Sequence, residues 1–187
     1  MLAKIGIFPG NNILFFNEEK LKEIINNNVG LIKDIEIEKD FPHNIKITLT
    51  ERIPVGTWCY MDNCSYFDDD GIKWGKALKS SGSLLLNIND GRSDSRDQDM
   101  VDMLYWDKIR VAVNELKKID VKVTSVEIPP DSLDIFHLQT SRGYYIIFDI
   151  GTDISEQIKV FKIFLENKNE FSAQYVDLRI GGRIYYK

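Results

Sequence analysis

Two cysteines, two histidines and a run of three aspartates are the side chains of this 187-residue chain whose types and spacing could do chemistry. His43 falls in a turn-like stretch and His137 in a strand-like one. Neither stands in a Ser-His-Asp or Cys-His order that would arm a nucleophile, so each reads as a solvated or hydrogen-bonded imidazole. Asp68-Asp69-Asp70-Gly71 offers carboxylates to a cation. It lacks the alternating ligand spacing and the distant glutamate of an EF-hand loop, and reads as a solvated hairpin tip. Gly181-Gly182 has strand on both sides, as a turn does, and there is no glycine-rich phosphate loop. No carboxylate is marked by an apolar setting that would raise its pKa for general acid work. The expectation is no catalytic residue, no metal site, no cofactor and no small-molecule substrate: the chain is not an enzyme.

Cys59 and Cys64 bracket Tyr60-Met61-Asp62-Asn63. Two sulfurs with no other cysteine or histidine nearby cannot complete a tetrahedral metal site. If residues 60–63 form a hairpin loop, the two cysteines oppose each other across the first strand pair. Their Cβ atoms would lie roughly 4.5–5.5 Å apart, close to the range that a disulfide accepts. A bond there implies an oxidising compartment. The alternative is a pair of reduced, partly buried small hydrophobes, and both readings stay open.

The elements that must position these residues follow from patterning. Hydrophobic residues at 43% and aromatics at 11% are globular values. With 24 basic against 29 acidic residues and a formal charge of −5, no basic stripe offers itself to a nucleic acid. No apolar run reaches the length of about 18 residues that a bilayer span needs. Asn17 caps a predicted helix over 17–28, with Leu21, Ile24 and Ile25 on one face. Period-two alternation then predicts strands at 34–39 and 45–51, joined by the turn residues Asp40 to Asn44. A hairpin is predicted from 55–60 and 65–68, then a polar surface loop over 90–98. A helix over 99–118 turns Val101, Leu104, Tyr105, Ile109, Ala112, Val113 and Leu116 inward. Strands near 121–128, 132–138 and 143–149, a helix over 154–169 burying Ile154, Ile158, Phe161 and Leu165, and strands at 175–180 and 183–187 complete the chain. The fold class is α+β: a small front module over 1–54, and a larger sheet-and-helix β domain over 55–187.

Three segments carry a resemblance. Ile35 to Val55, a strand, a proline-containing turn, a second strand and then Glu51-Arg52-Ile53-Pro54, resembles the second half of a POTRA module. Tyr66-Phe67-Asp68-Asp69-Asp70-Gly71-Ile72 resembles the hairpin next in order in the FtsQ/DivIB family of bacterial cell-division proteins. Tyr175-Val176-Asp177-Leu178-Arg179 resembles the Asp-Leu-Arg strand near that family's C-terminus. The resemblance implies a non-enzymatic divisome scaffold acting in septum formation on the extracytoplasmic face of the cell membrane. Members carry a transmembrane helix ahead of the module. Here Gly10 to Phe16 takes the place of the connector before the second POTRA helix, so the module is expected to be N-terminally incomplete and the chain a soluble fragment without its anchor. The implied partners are FtsB/DivIC-like and FtsL-like proteins, with a partner strand added to the terminal part of the sheet. Glu51, Arg52 and Pro54 are expected to hold the joint between the modules. Carried over by position, the partner-binding residues are Arg179, Ile180, Gly181 and Tyr185. Tyrosine and arginine are also common interface anchors, and a terminal sheet edge is a template for strand addition. A POTRA-bearing envelope assembly or transport protein unrelated to division is the second reading.

Overall fold

The computed structural model describes residues 16–78, 85–92, 99–168 and 172–187. The start of the expected connector (10–15) and most of the expected polar loop (93–98) lie outside the described residues. The chain divides into two compact units, Met1–Ile53 and Pro54–Lys187.

In the first unit, α1 (Glu18–Asn28) is followed by β1 (Ile32–Asp40) and β2 (Asn44–Glu51). The Asn17 side chain accepts a hydrogen bond from the Lys20 N–H at 3.0 Å, satisfying one orphan donor of the first turn, where Glu18 and Glu19 also suit the helix dipole. β1 and β2 pair antiparallel, with Asp40 opposite Asn44, so the joint is the three residues Phe41 to His43. Leu21 and Ile25 of the helix close over Ile32 and Ile35 of β1, with Ile37 and Ile47 at the margin. Spacing of four on the helix and of two on the strand keeps side chains on one face, and Ile32 joins Ile35 on that face because the β1–β2 register shifts between Ile32 and Asp34.

The second unit is one sheet in the order β11-β10-β9-β8-β7-β6-β3-β4-β5. Its strands are β3 (Gly56–Tyr60), β4 (Asn63–Phe67), β5 (Lys73–Ala77), β6 (Leu86–Asp90), β7 (Val123–Ile128), β8 (Ile135–Thr140), β9 (Tyr145–Asp149), β10 (Tyr175–Asp177) and β11 (Tyr185–Tyr186). β3 runs parallel to β6, β6 to β7 and β9 to β10, and the remaining neighbours are antiparallel. Helices α2 (Met103–Lys118) and α3 (Ile154–Glu166) start on Asp102 and Asp153, each carboxylate accepting two N–H bonds of the first turn. Tyr105, Ile109, Ala112 and Leu116 form the buried stripe of α2. They pack with Ile158 and Phe161 of α3 on the inward residues of the strands, among them Phe136, Leu138, Ile146 and Phe148. Each such large side chain contributes about 2–3 kcal/mol of apolar burial. Among the described residues no helix is long and apolar enough to cross a membrane.

Several expectations need correction. Leu104 is 60% exposed, whereas Trp106 is 4% exposed. Positions 104 and 106 lie about 100° to either side of the 105–109–112–116 stripe, and Trp106 is covered because its ring packs edge-on against Phe67, centroids 4.9 Å apart. Strands β5 and β6 have no counterpart among the expected elements. The Cys59–Cys64 hairpin turns on two residues, Met61 and Asp62, because Tyr60 pairs with Asn63. The terminal strand expected over 175–180 stops at Asp177. Asp68 is buried rather than solvated: its carboxylate accepts the Ile72 N–H at 2.9 Å and its carbonyl the Gly71 N–H at 2.9 Å, which fixes the turn.

Candidate partner-binding edge

The terminal edge is built from β9 outwards. Val176 and Leu178 are buried over the core, and Leu178 N–H donates to the Ile147 carbonyl at 3.1 Å. That side of the β10 backbone therefore faces β9, and the alternate residues Tyr175 and Asp177 face β11. Val176 stands opposite Tyr186 and Asp177 opposite Tyr185. One residue further on, Lys187 N–H donates to the Tyr175 carbonyl at 3.3 Å, and the Gln174 and Tyr175 N–H groups donate to the Lys187 carbonyl. Beyond β11 the sheet has no further strand among the described residues. β11 is short, which is one way in which native sheets limit unwanted pairing.

The connection from β10 to β11 is held rather than loose. Arg179 reaches back to Asp177, Nε to Oδ1 at 2.9 Å and a terminal nitrogen to Oδ2 at 2.7 Å, while the Arg179 N–H donates to Oδ1 at 3.1 Å. Burial pushes the Asp177 carboxyl up, but the Arg179 hydrogen bonds outweigh it and hold the group below the usual carboxylate range. Arg183 N–H then donates to the Ile180 carbonyl at 3.1 Å, closing a turn in which Gly182 has φ 72°. That φ is open to glycine at no steric cost.

Of the four residues expected to bind a partner, only Tyr185 lies on a strand. Arg179, Ile180 and Gly181 lie in the connection, all at the surface. Ile180 is 52% exposed and Tyr185 46%. The two terminal tyrosines are used differently. Tyr186 lies against Phe164 of α3, ring centroids 5.3 Å apart, and its hydroxyl accepts from Lys168 Nζ at 2.8 Å. Tyr185 stands opposite Asp177, on the face turned away from the helices.

On that helix-free face an aromatic row, Tyr175–Tyr145–His137, crosses β10, β9 and β8 with centroid separations of 5.8 and 5.2 Å. Beside it lies a polar recess of about 260 Å³ lined by Asn89, Ser125, Glu127, His137, Gln139 and Tyr145. Burial lowers the His137 pKa, against the pull of Glu127. The sequence predicts a solvated or hydrogen-bonded imidazole at His137, and the structure sets its ring against Tyr145. The alternation of β9 and β10 carried the missing signal, because Tyr145 and Tyr175 occupy register-matched outward positions.

At the opposite end of the sheet Cys59 and Cys64 are an antiparallel pair, Cα atoms 4.0 Å apart, with their sulfurs in disulfide contact. Both are buried, with Ala77 and Tyr66 against them. Among the described residues no group of three histidine, cysteine, aspartate or glutamate side chains could hold a metal ion.

Residues 2–52 match the model of the POTRA domain, FtsQ-type. No curated protein matches the chain. The matched residues contain the Asn17-capped helix and the β1–β2 hairpin, and the second unit behind them is β-rich. The front of this chain is therefore an FtsQ/DivIB-type POTRA module, followed by a mixed sheet-and-helix region.

Proposed function

We propose that the chain is a non-enzymatic divisome scaffold that binds other membrane-anchored division proteins, FtsB/DivIC-like and FtsL-like, during septum formation. It acts on the extracytoplasmic face of the cell membrane. The FtsQ-type POTRA match supports the cell-division setting. The single observation that carries the binding reading is that, among the described residues, the sheet ends in β11, which carries the exposed Tyr185. A partner strand laid along β11 gains main-chain hydrogen bonds, and its alternate side chains can be read by Tyr185 and by the turn at Ile180 and Gly181. The Arg179–Asp177 pair joins an exposed guanidinium to a largely covered carboxylate and holds the turn that leads into β11. The test titrates the purified chain with the soluble segment of an FtsB/DivIC-like protein. Tyr185→Ala is expected to weaken binding about tenfold, as truncation of an interface tyrosine anchor does. Unchanged affinity would remove Tyr185 from the site.

A further inference from the structure

Where β8 begins and β9 and β10 end, the surface opens into a groove of about 580 Å³. Leu133 and Ile180 wall it, 85% and 52% exposed. Three carboxylates, Asp131, Asp134 and Asp149, line it together with Arg179. We propose that this groove seats a basic–aliphatic element of the partner, a lysine or arginine next to a leucine-sized side chain, flanking the strand that adds to β11. The inference rests on the strand-addition reading above and names the chemistry of the partner beside it.

Charge selects the occupant. Arg179 is tied to Asp177 through two side-chain bonds and also feels the charge of Asp149, which leaves Asp131 and Asp134 as the unneutralised carboxylates of the lining. Asp131 and Asp134 have no ion pair among the described residues, and Asp149 Oδ1 accepts the Gly151 N–H at 2.7 Å. An acidic segment is repelled there, and a basic one is attracted from beyond contact distance.

The apolar wall is prearranged. Ser132 Oγ accepts from the Ile135 N–H at 2.7 Å and donates to the Ile135 carbonyl at 2.8 Å, and the Ser132 N–H donates to the Pro129 carbonyl at 3.1 Å. The Asp134 carbonyl accepts from the Ile150 N–H at 2.8 Å. Leu133 is thus held out to water on a hydrogen-bonded loop, and covering it requires little ordering of the protein. The site is also continuous with the proposed edge. The Ile180 carbonyl closes the turn that leads into β11, so a strand lying beside Tyr185 ends next to Ile180.

Two fluorescein-labelled peptides test this: a Thr-Val-Thr-Val-Thr strand followed by Lys-Leu-Lys, and its twin ending Glu-Leu-Glu, each titrated by anisotropy against the whole chain. The basic peptide is expected to bind about tenfold more tightly in low salt, the combined effect of two exposed charge pairs. The preference should shrink in about 0.5 M salt and vanish in Asp131→Asn/Asp134→Asn, a surface double variant. Leu133→Ser should weaken both peptides. Tyr185→Pro, which disrupts β11, should also weaken both while leaving their ratio in place. A ratio near one in the unmodified chain, a ratio unmoved by the double variant, or no binding of either peptide overturns the groove assignment. A persistent ratio with no effect of Tyr185→Pro would instead sustain the groove and remove the strand addition on which it leans.

Discussion

Replacing Arg92 by alanine should cost the second unit about 4 kcal/mol, because one buried cluster depends on its guanidinium. The Asp90 side chain is completely shielded, and Arg92 grips it with Nε at 3.0 Å and a terminal nitrogen at 2.9 Å. The other terminal nitrogen of Arg92 reaches Asp102, the cap of α2, at 3.0 Å, and its guanidinium lies 4.1 Å from the centre of the Tyr105 ring. Burial works against the Arg92 charge, yet the bonds and attraction of Asp90 and then Asp102 win and raise its pKa. Without the guanidinium, Asp90 keeps, among the described residues, the Trp58 indole N–H at 3.2 Å and the residue-92 N–H at 3.1 Å. Leaving one partner of a buried pair charged and alone costs about 3–5 kcal/mol, the range in which the expected loss falls. Urea unfolding followed by tryptophan emission reads the loss, since Trp58 and Trp106 are both buried. With a slope of about 2 kcal/mol per molar, the midpoint should fall by about 2 M. Asp90→Asn added to Arg92→Ala should recover part of the loss, because the stranded charge is gone. A shift below about 0.5 M, or a double variant no more stable than the single one, would refute the picture of a desolvated Asp90.

Three further outcomes rest on the same reasoning. Thiol titration of the unfolded, unreduced chain should find no free cysteine. Cys59→Ser/Cys64→Ser should cost about 2 kcal/mol by the loop-closure relation, since only five positions separate the two residues. His137 has a folded pKa lowered by burial from 6.5, so its contribution to stability is fully present above pH 6.5 and is lost as pH falls through the folded pKa. Between about pH 7.5 and about pH 5 the unmodified chain should therefore lose more stability than His137→Gln, as measured by urea midpoints. Equal losses would contradict the burial argument.

How far the sequence could be read depended on whether local pattern and tertiary context agreed. The Asn17 cap and the alternation of β1 and β2 are local signals, and all three elements lie where they were expected. The stripe through Tyr105, Ile109, Ala112 and Leu116 was legible for the same reason, while Leu104 and Trp106 at its borders were not. β5, Lys-Trp-Gly-Lys-Ala, has a glycine at its centre with φ 57°. β6 carries Asn87, Asn89 and Asp90, residues depleted in strands. β6 is a strand because β3 and β7 pair on either side of it, a fact no local window contains. At the terminal edge the tyrosines were legible as anchors. That Asp177 would bind Arg179 and end β10 depends on a side-chain pair two positions apart, which alternation alone does not reveal. The Leu133 groove joins residues far apart in the chain, from Asp131 to Ile180, and had no sequence signature.

The central claim, that a division partner adds a strand to β11, is tested most directly by amide hydrogen exchange on the isotope-labelled chain, with and without the soluble segment of an FtsB/DivIC-like protein. The prediction is slowed exchange at residues 183–187, little change in β5 at the far edge of the sheet, and loss of the slowing in Tyr185→Pro. Binding that leaves the exchange of residues 183–187 unchanged, or protects β5 instead, would contradict it.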